Sequence, residues 1–229
     1  MRVASAQPLI SAVCITANRP RFVDLAIECF MEQTWENKEL VIYDSGEDRV
    51  KAQDLPGVRY VRGVARTIGE LRNAAVEHSK GRIVAHWDDD DYSHPRRLEE
   101  QADLILSSDC EIVGYSTMVF HDTTKKEWWL YKGDLANQAY ALGTSLMYWR
   151  STWEKRRFPI LNQAEDNAFL FRRNLITAYG HRPVRMIARH HHACTTPVSG
   201  KFIAHPRAIT NWTQITAPGD IKGLKALLK

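Results

Sequence analysis

The chain has 229 residues, 44% hydrophobic and 25% charged, a composition that provides a sizeable core and excludes global disorder. That length fits one large α/β domain or two small ones. The net charge of +4 is unevenly placed: Arg150 to Arg207 holds 11 Lys and Arg against three acids (Glu154, Glu165, Asp166), leaving 20 basic and 24 acidic residues elsewhere.

In chain order, Leu9 to Thr16 is a continuous apolar strand candidate. Asn18-Arg19-Pro20 breaks it and opens a helix, with Phe22, Leu25, Ala26, Cys29 and Phe30 at helical spacing. Glu39 to Tyr43 predicts a second strand, closed by Asp44-Ser45-Gly46, and Val58 to Val61 a third. Ile68 to Ser79 predicts a helix with Ile68, Leu71, Ala75 and Val76 on its apolar face. Arg82 to Trp87 predicts a fourth strand, and Pro95 to Leu106 the next helix. This β-α-β-β-α-β-α order argues for a mainly parallel sheet with right-handed crossovers.

The second half is less regular. Ile112 to Phe120 predicts a strand, residues 121–126 a turn, and Glu127 to Tyr131 a hairpin partner. Ser145 to Trp149 reads as a strand, Ala164 to Arg173 as a helix, and Val184 to Ala188 as a strand delivering a histidine run. From Thr195 the chain reads as loop, with a weak amphipathic helix at Ile221 to Leu228. No linker divides the sequence, so residues 1–229 are expected to form one domain. Cys14, Cys29, Cys110 and Cys194 form no C-x-x-C pair and read as reduced residues. The N-terminus carries no long apolar segment, which argues against a signal peptide or membrane span, and a cytoplasmic location is expected.

Four consecutive carboxylates, Asp88 to Asp91, follow the apolar run Ile83 to Trp87. Such a run repels itself and favours a solvated loop or a bound cation. The carboxyl end of a parallel strand is where open α/β sheets bind ligands. Hard oxygen donors on a short loop suit Mg²⁺ or Mn²⁺, which commonly bridge to substrate phosphates. A basic C-terminal half facing this loop suits a phosphate-bearing substrate. The plainer alternatives are an acidic turn capping the next helix and ordinary surface charge.

The order of motifs resembles a family 2 glycosyltransferase with the GT-A fold. The segments carrying the resemblance are Leu9 to Pro20, Val41 to Gly46, Leu71-Arg72-Asn73 with Gly81 to Val84, Trp87 to Asp91 with Pro95 beyond, Gly143-Thr144-Ser145, and Glu165-Asp166. The similarity spans about residues 9 to 196. It implies a nucleotide-sugar-binding half at 1–110 and an acceptor and catalytic half at 111–196. The tail at 197–229 is left as a lid, an acceptor platform or a dimer contact.

The chemistry of sugar transfer follows from its charges. A nucleotide-sugar donor, expected to be UDP-linked, leaves as a diphosphate whose charge a divalent ion neutralises. A carboxylate must take the acceptor proton, and a base opposite the leaving group inverts the anomeric centre. The resemblance implies that Asp88 reaches ribose or metal, that Asp88-Asp89-Asp90 form the D-x-D, and that Asp90 ligates the metal. Asp91 either supports the loop or caps the next helix. Asp166 is the base implied, beside Glu165, although both acids also complement a helix dipole. Asp44 is implied at the nucleobase, and Thr16, Ala17, Asn18 and Arg19 around base and ribose. Arg72 either approaches the phosphates or supports the Asp loop.

His190-His191-His192 is a polar loop or the source of one ligand, with His191 the preferred register. Trp128 and Trp129 offer acceptor stacking or mere packing, and as strand neighbours they point to opposite sides. Two rival readings are a metal-dependent nuclease or nucleotidyltransferase and a non-catalytic sugar- or nucleic-acid-binding module. The acceptor is left open among glycan, protein and nucleic acid, as is the oligomeric state.

Overall fold

A computed structural model describes residues 7–48, 55–133, 140–191 and 212–219. Strand β1 (Ile10–Thr16) pairs parallel with β2 (Lys38–Asp44) on one side and β4 (Ile83–His86) on the other. β2 pairs in turn with β3 (Val58–Arg62), giving the parallel order β3-β2-β1-β4. β1 is buried on both faces: Ile10, Ala12 and Cys14 pack on one side and Val13 on the other. Burial on both faces explains its unbroken apolar run.

Helix α1 (Pro20–Met31) and helix α3 (Arg97–Leu106) pack in the larger core through Val23, Ala26, Phe30, Leu98, Ala102 and Ile105. Helix α2 (Ile68–Glu77) packs in the second core. Its entry is fixed by a capping box in which Thr67 and Glu70 satisfy each other's orphan N–H groups. The buried face of α2 is Gly69, Arg72, Ala75 and Val76, with Ile68 and Leu71 only partly buried. The face expected from the apolar residues is therefore rotated. Asn73 hydrogen bonds to Phe158, and Gly69 lies so close to Pro159 that a Cβ would be 1.8 Å from its carbonyl oxygen.

The sheet continues antiparallel beyond β4. β8 (Met147–Trp149) pairs with β4 and with β6 (Ile112–Asp122), which forms a hairpin with β7 (Glu127–Lys132). β9 (Leu175–Tyr179) and β10 (Met186–His190) pair parallel with different parts of β6. β10 also meets the two-residue β5 (Tyr92–Ser93) just after the Asp run. Helices α4 (Arg150–Lys155) and α5 (Glu165–Leu170) complete the second half.

Three segments differ from the sequence expectation. Trp212–Ile215, expected as loop, is β11 and pairs antiparallel with β7. Ser145 belongs to a 3-10 turn at Gly143–Ser145 rather than to a strand. α5 ends at Leu170 because Phe171 is extended and Arg172 takes a positive φ of 56°. The helix expected at 221–228 lies outside the described residues. Cys14, Cys29 and Cys110 are free and buried, and no described helix is long and apolar enough to cross a membrane.

Candidate active site

The strand order reverses between β1 and β4, so their carboxyl ends open a crevice at the topological switch point. Thr16 ends β1, and Trp87 to Asp91 follow β4. Trp87 anchors the loop from below, with its indole N–H on the Ala26 carbonyl at 3.0 Å and its ring edge-on to Phe30. The carboxylates are thereby held on a packed base.

Each aspartate has different company. Asp89 is fully buried; it accepts from Thr16 Oγ1 at 2.6 Å and faces Arg19 at 2.9 Å. Asp90 Oδ2 meets Arg19 at 3.0 Å and His191 Nε2 at 2.9 Å. Asp91 accepts from Thr144 Oγ1 at 2.6 Å and from the Arg189 backbone N–H at 3.1 Å. Asp88 Oδ1 lies 3.5 Å from Arg72, whose Nε donates to Glu165 at 3.2 Å. Burial and the Asp90 charge push Asp89 up to about 7, against Arg19 and Thr16, and the same two causes push Asp91 well up. Burial draws Arg72 down, but Asp88, Glu165 and Asp166 outweigh it and hold the guanidinium above its ordinary value.

These contacts sort the sequence expectations. Arg72 supports the Asp loop and ties it to α5. Asp91 does not cap α3, whose N-cap is Arg96; it joins the loop to the 3-10 turn and to β10. Arg19 was expected around base and ribose, but its guanidinium turns to the opposite charges of Asp89 and Asp90. Asn18 takes a positive φ of 56°, and its Oδ1 accepts from the Glu47 and Asp48 backbone. Gly46 packs on that turn, where a Cβ would lie 2.3 Å from the Asn18 nitrogen. Asp44 is fully buried and accepts from the Gly46 N–H and the Tyr60 hydroxyl. Ala17, between Thr16 and Asn18, sits at the crevice edge.

Across the crevice, Glu165 is buried on Arg72 while Asp166 is only partly buried. Asp166 Oδ1 accepts from the Asn167 N–H, and Oδ2 lies against Gly143, where a Cβ would stand 2.1 Å away. Ala164, just before them, takes φ 58° and ψ 21°. That left-handed conformation costs about 1–3 kcal/mol for a non-glycine residue, and such strain clusters at functional sites.

His191 is buried against Phe22, with ring centroids 4.5 Å apart. Phe22 also carries Arg19 and Arg189 over its ring at 5.9 and 5.1 Å. His190 instead faces Asp122 at 3.6 Å, and His192 lies outside the described residues. Trp128 is buried and stacked on His121 at 4.1 Å, which removes it as a stacking surface. Trp129 is partly buried and reaches Glu127. The partly buried rings of Phe120, Tyr131, Tyr140 and Trp212 pack beside one another at 4.8 to 6.4 Å.

Two residues missed from sequence organise the site. Arg97 is fully buried and donates to the His86 and Thr144 carbonyls, Ser93 and Gln101. Phe22 is one helical turn from Arg19, a spacing that pointed toward it. Among the described residues, much of the basic surplus is engaged away from the crevice: Arg150 binds carbonyls of 76–81, Arg156 those of Phe169 and Phe171, and Arg157, Arg173 and Arg185 pair with Glu77, Glu111 and Glu100, while Arg189 lies over Phe22.

The donor set suits a hard divalent cation. Asp88 Oδ1 and Asp89 Oδ1 are buried, and a guanidinium stands beside each, Arg72 at 3.5 Å and Arg19 at 2.9 Å. Two adjacent octahedral ligands about 2.1 Å from an ion lie roughly 3.0 Å apart, and Asp90 Oδ2 and His191 Nε2 are 2.9 Å apart. Among the described residues no three His, Cys, Asp or Glu side chains converge on one point. One or two carboxylates completed by waters and phosphate oxygens is the ordinary arrangement for Mg²⁺; here the carboxylate would be joined by one imidazole.

The "Glycosyl transferase family 2" model matches residues 11–180. The chain is 33% identical over 114 residues to the O-antigen biosynthesis glycosyltransferase WbnJ of Escherichia coli, covering 46% of this chain and 45% of that protein. It is 29% identical over 107 residues to the uncharacterized glycosyltransferase MJ1057 of Methanocaldococcus jannaschii, covering 42% of this chain and 36% of that one. The matched segment thus spans less than half of either relative. Mannosyltransferase PcManGT from Pyrobaculum calidifontis, in complex with GDP-Man and Mn2+, superposes with a TM-score of 0.61 at 15% identity, covering 86% of this chain and 60% of that chain. S. aureus TarS 1-349 in complex with UDP-GlcNAc gives the same score and identity, covering 81% and 60%. The architecture is the GT-A fold, and the chain belongs to glycosyltransferase family 2.

Proposed function

We propose that this chain transfers a sugar from a nucleotide-sugar donor to an acceptor hydroxyl, with inversion at the anomeric carbon. The observation that carries the reading is the link Asp88–Arg72–Glu165, at 3.5 and 3.2 Å, which holds the Asp loop and the base helix in one frame. Asp90 and His191 would hold Mg²⁺ or Mn²⁺, with Asp88 assigned to the ribose or to the ion from its place on the same loop. When bound, the ion neutralises the charge of the departing diphosphate. The turn at Thr16–Arg19 borders the nucleotide, and Asp44 lies beneath the base. UDP is the expected carrier, and the names of the structural neighbours support UDP- and GDP-linked donors alike.

Asp166 takes the acceptor proton as the new glycosidic bond forms. Its partial exposure and the space left by Gly143 suit that role, while Glu165 is engaged by Arg72 and positions its neighbour. The partly buried aromatic rows of Phe120, Tyr131, Tyr140 and Trp212 are the stacking surface we assign to an acceptor sugar, in place of Trp128. Residues 1–229 act as one domain, with β11 as part of the acceptor side.

Incubation with a panel of nucleotide sugars and Mn²⁺ tests the reading. Slow release of nucleoside diphosphate, accelerated by a sugar acceptor, is expected. Hydrolysis of nucleic acid would favour a phosphoryl-transfer enzyme, and binding without turnover a sugar-binding module.

A further inference from the structure

Arg19 holds the same oxygen that the divalent ion needs. Its two terminal nitrogens bridge Asp89 Oδ1 at 2.9 Å and Asp90 Oδ2 at 3.0 Å. Asp90 Oδ2 is also the atom facing His191 Nε2 at 2.9 Å. The arginine is placed there by the backbone. It lies between the left-handed Asn18, whose side chain is tied to residues 47 and 48, and Pro20, which starts α1. Its side chain is 22% exposed and rests over Phe22. A planar fork bridging two carboxylates is an arrangement that lysine cannot reproduce.

We propose that Arg19 is a built-in cation that closes the Asp89–Asp90 pair before the metal arrives, and that the ion must take Asp90 from it. This rests on the metal reading above. The guanidinium keeps the carboxylate loop in place without an ion, at the cost of weaker ion binding. Once the Asp90 contact breaks, the fork has lost one of its two carboxylates, and a nucleotide diphosphate is an anion that can take its place. Ion and nucleotide therefore favour each other's binding through Arg19, and such coupling is reciprocal.

Free Mn²⁺ measured by electron paramagnetic resonance tests this in the full chain, without and with saturating UDP. Without nucleotide, Arg19→Gln is expected to bind Mn²⁺ about tenfold more tightly than wild type, the scale of one charge-assisted hydrogen bond. The enhancement of Mn²⁺ affinity by UDP should shrink in the same variant. Arg19→Lys keeps the charge without the fork, so it is expected to fall between the two. Equal or weaker Mn²⁺ binding in Arg19→Gln overturns the inference and leaves the metal reading intact. Tighter binding in Arg19→Gln with wild-type affinity in Arg19→Lys also overturns it, because charge alone then explains the gain. If Arg19→Gln does not fold, wild-type affinity in Arg19→Lys is sufficient to overturn it. If none of these proteins, wild type included, binds Mn²⁺, both the metal reading and this inference are removed.

Discussion

Gly143→Ala should remove most turnover while leaving the fold in place. The added Cβ would lie 2.1 Å from Asp166 Oδ2, 2.8 Å from its Cγ and 3.0 Å from its Cβ. Ordinary carbon–oxygen contact needs about 3.4 Å, so the carboxylate must move by roughly 1 Å or more. Asp166 is partly exposed and can move without disturbing the core. A misplacement of that size costs about 10²-fold in rate, or about 2.7 kcal/mol of barrier. The assay is release of nucleoside diphosphate from the best donor of the panel, with donor affinity and thermal unfolding measured in parallel. Donor affinity should change little. Asp166→Asn should lose about 10²–10⁴-fold, and the double variant should be no slower than Asp166→Asn alone. Wild-type turnover in Gly143→Ala, or fully multiplicative losses in the double variant, would refute the reasoning.

Asp90→Ala should abolish the enhancement of UDP binding by Mn²⁺, read by calorimetry; an enhancement equal to wild type would remove Asp90 as a ligand. His191→Ala should weaken Mn²⁺-dependent UDP binding more than His190→Ala, since only His191 faces Asp90. Arg72→Met leaves Glu165 buried without its cation and should cost roughly 3–5 kcal/mol in denaturant unfolding; a loss below about 1 kcal/mol would deny Arg72 its bracing role. Asp91→Asn can accept through one oxygen where Asp91 uses two, toward Thr144 and Arg189. The expected loss is about 1–3 kcal/mol of stability, and an unchanged unfolding midpoint would contradict it.

Three of the four strands in the first half were legible because they are largely buried on both faces, while β3 is partly exposed. β1, β2 and β4 therefore read as unbroken apolar runs, each followed by a turn or an amphipathic helix. The second half depends on pairings that no local pattern announces. β5 has two residues, β9 follows the end of α5 without a break signal, and β11 gains its partner β7 across a gap of some 80 residues. At the candidate site, residue chemistry singled out the acids and histidines, but their company comes from distant parts of the chain. Arg19 meets Asp90 across 71 positions and Arg72 meets Glu165 across 93. The role of Arg72 turned on the rotation of α2, set by Gly69 against Pro159 rather than by its apolar residues. The Thr67–Glu70 capping box was a local signal that the periodicity reading passed over.

The proposed activity depends on a divalent ion that joins the Asp88–Asp91 loop to the diphosphate of a nucleotide sugar. Anomalous scattering from a crystal grown with UDP and Mn²⁺ would locate that ion. One manganese peak is expected in contact with Asp90 and His191 and with diphosphate oxygens, with Arg19 withdrawn from Asp90. UDP bound in the crevice with no manganese peak at the loop, or with both side chains beyond coordination distance of it, would contradict the proposal.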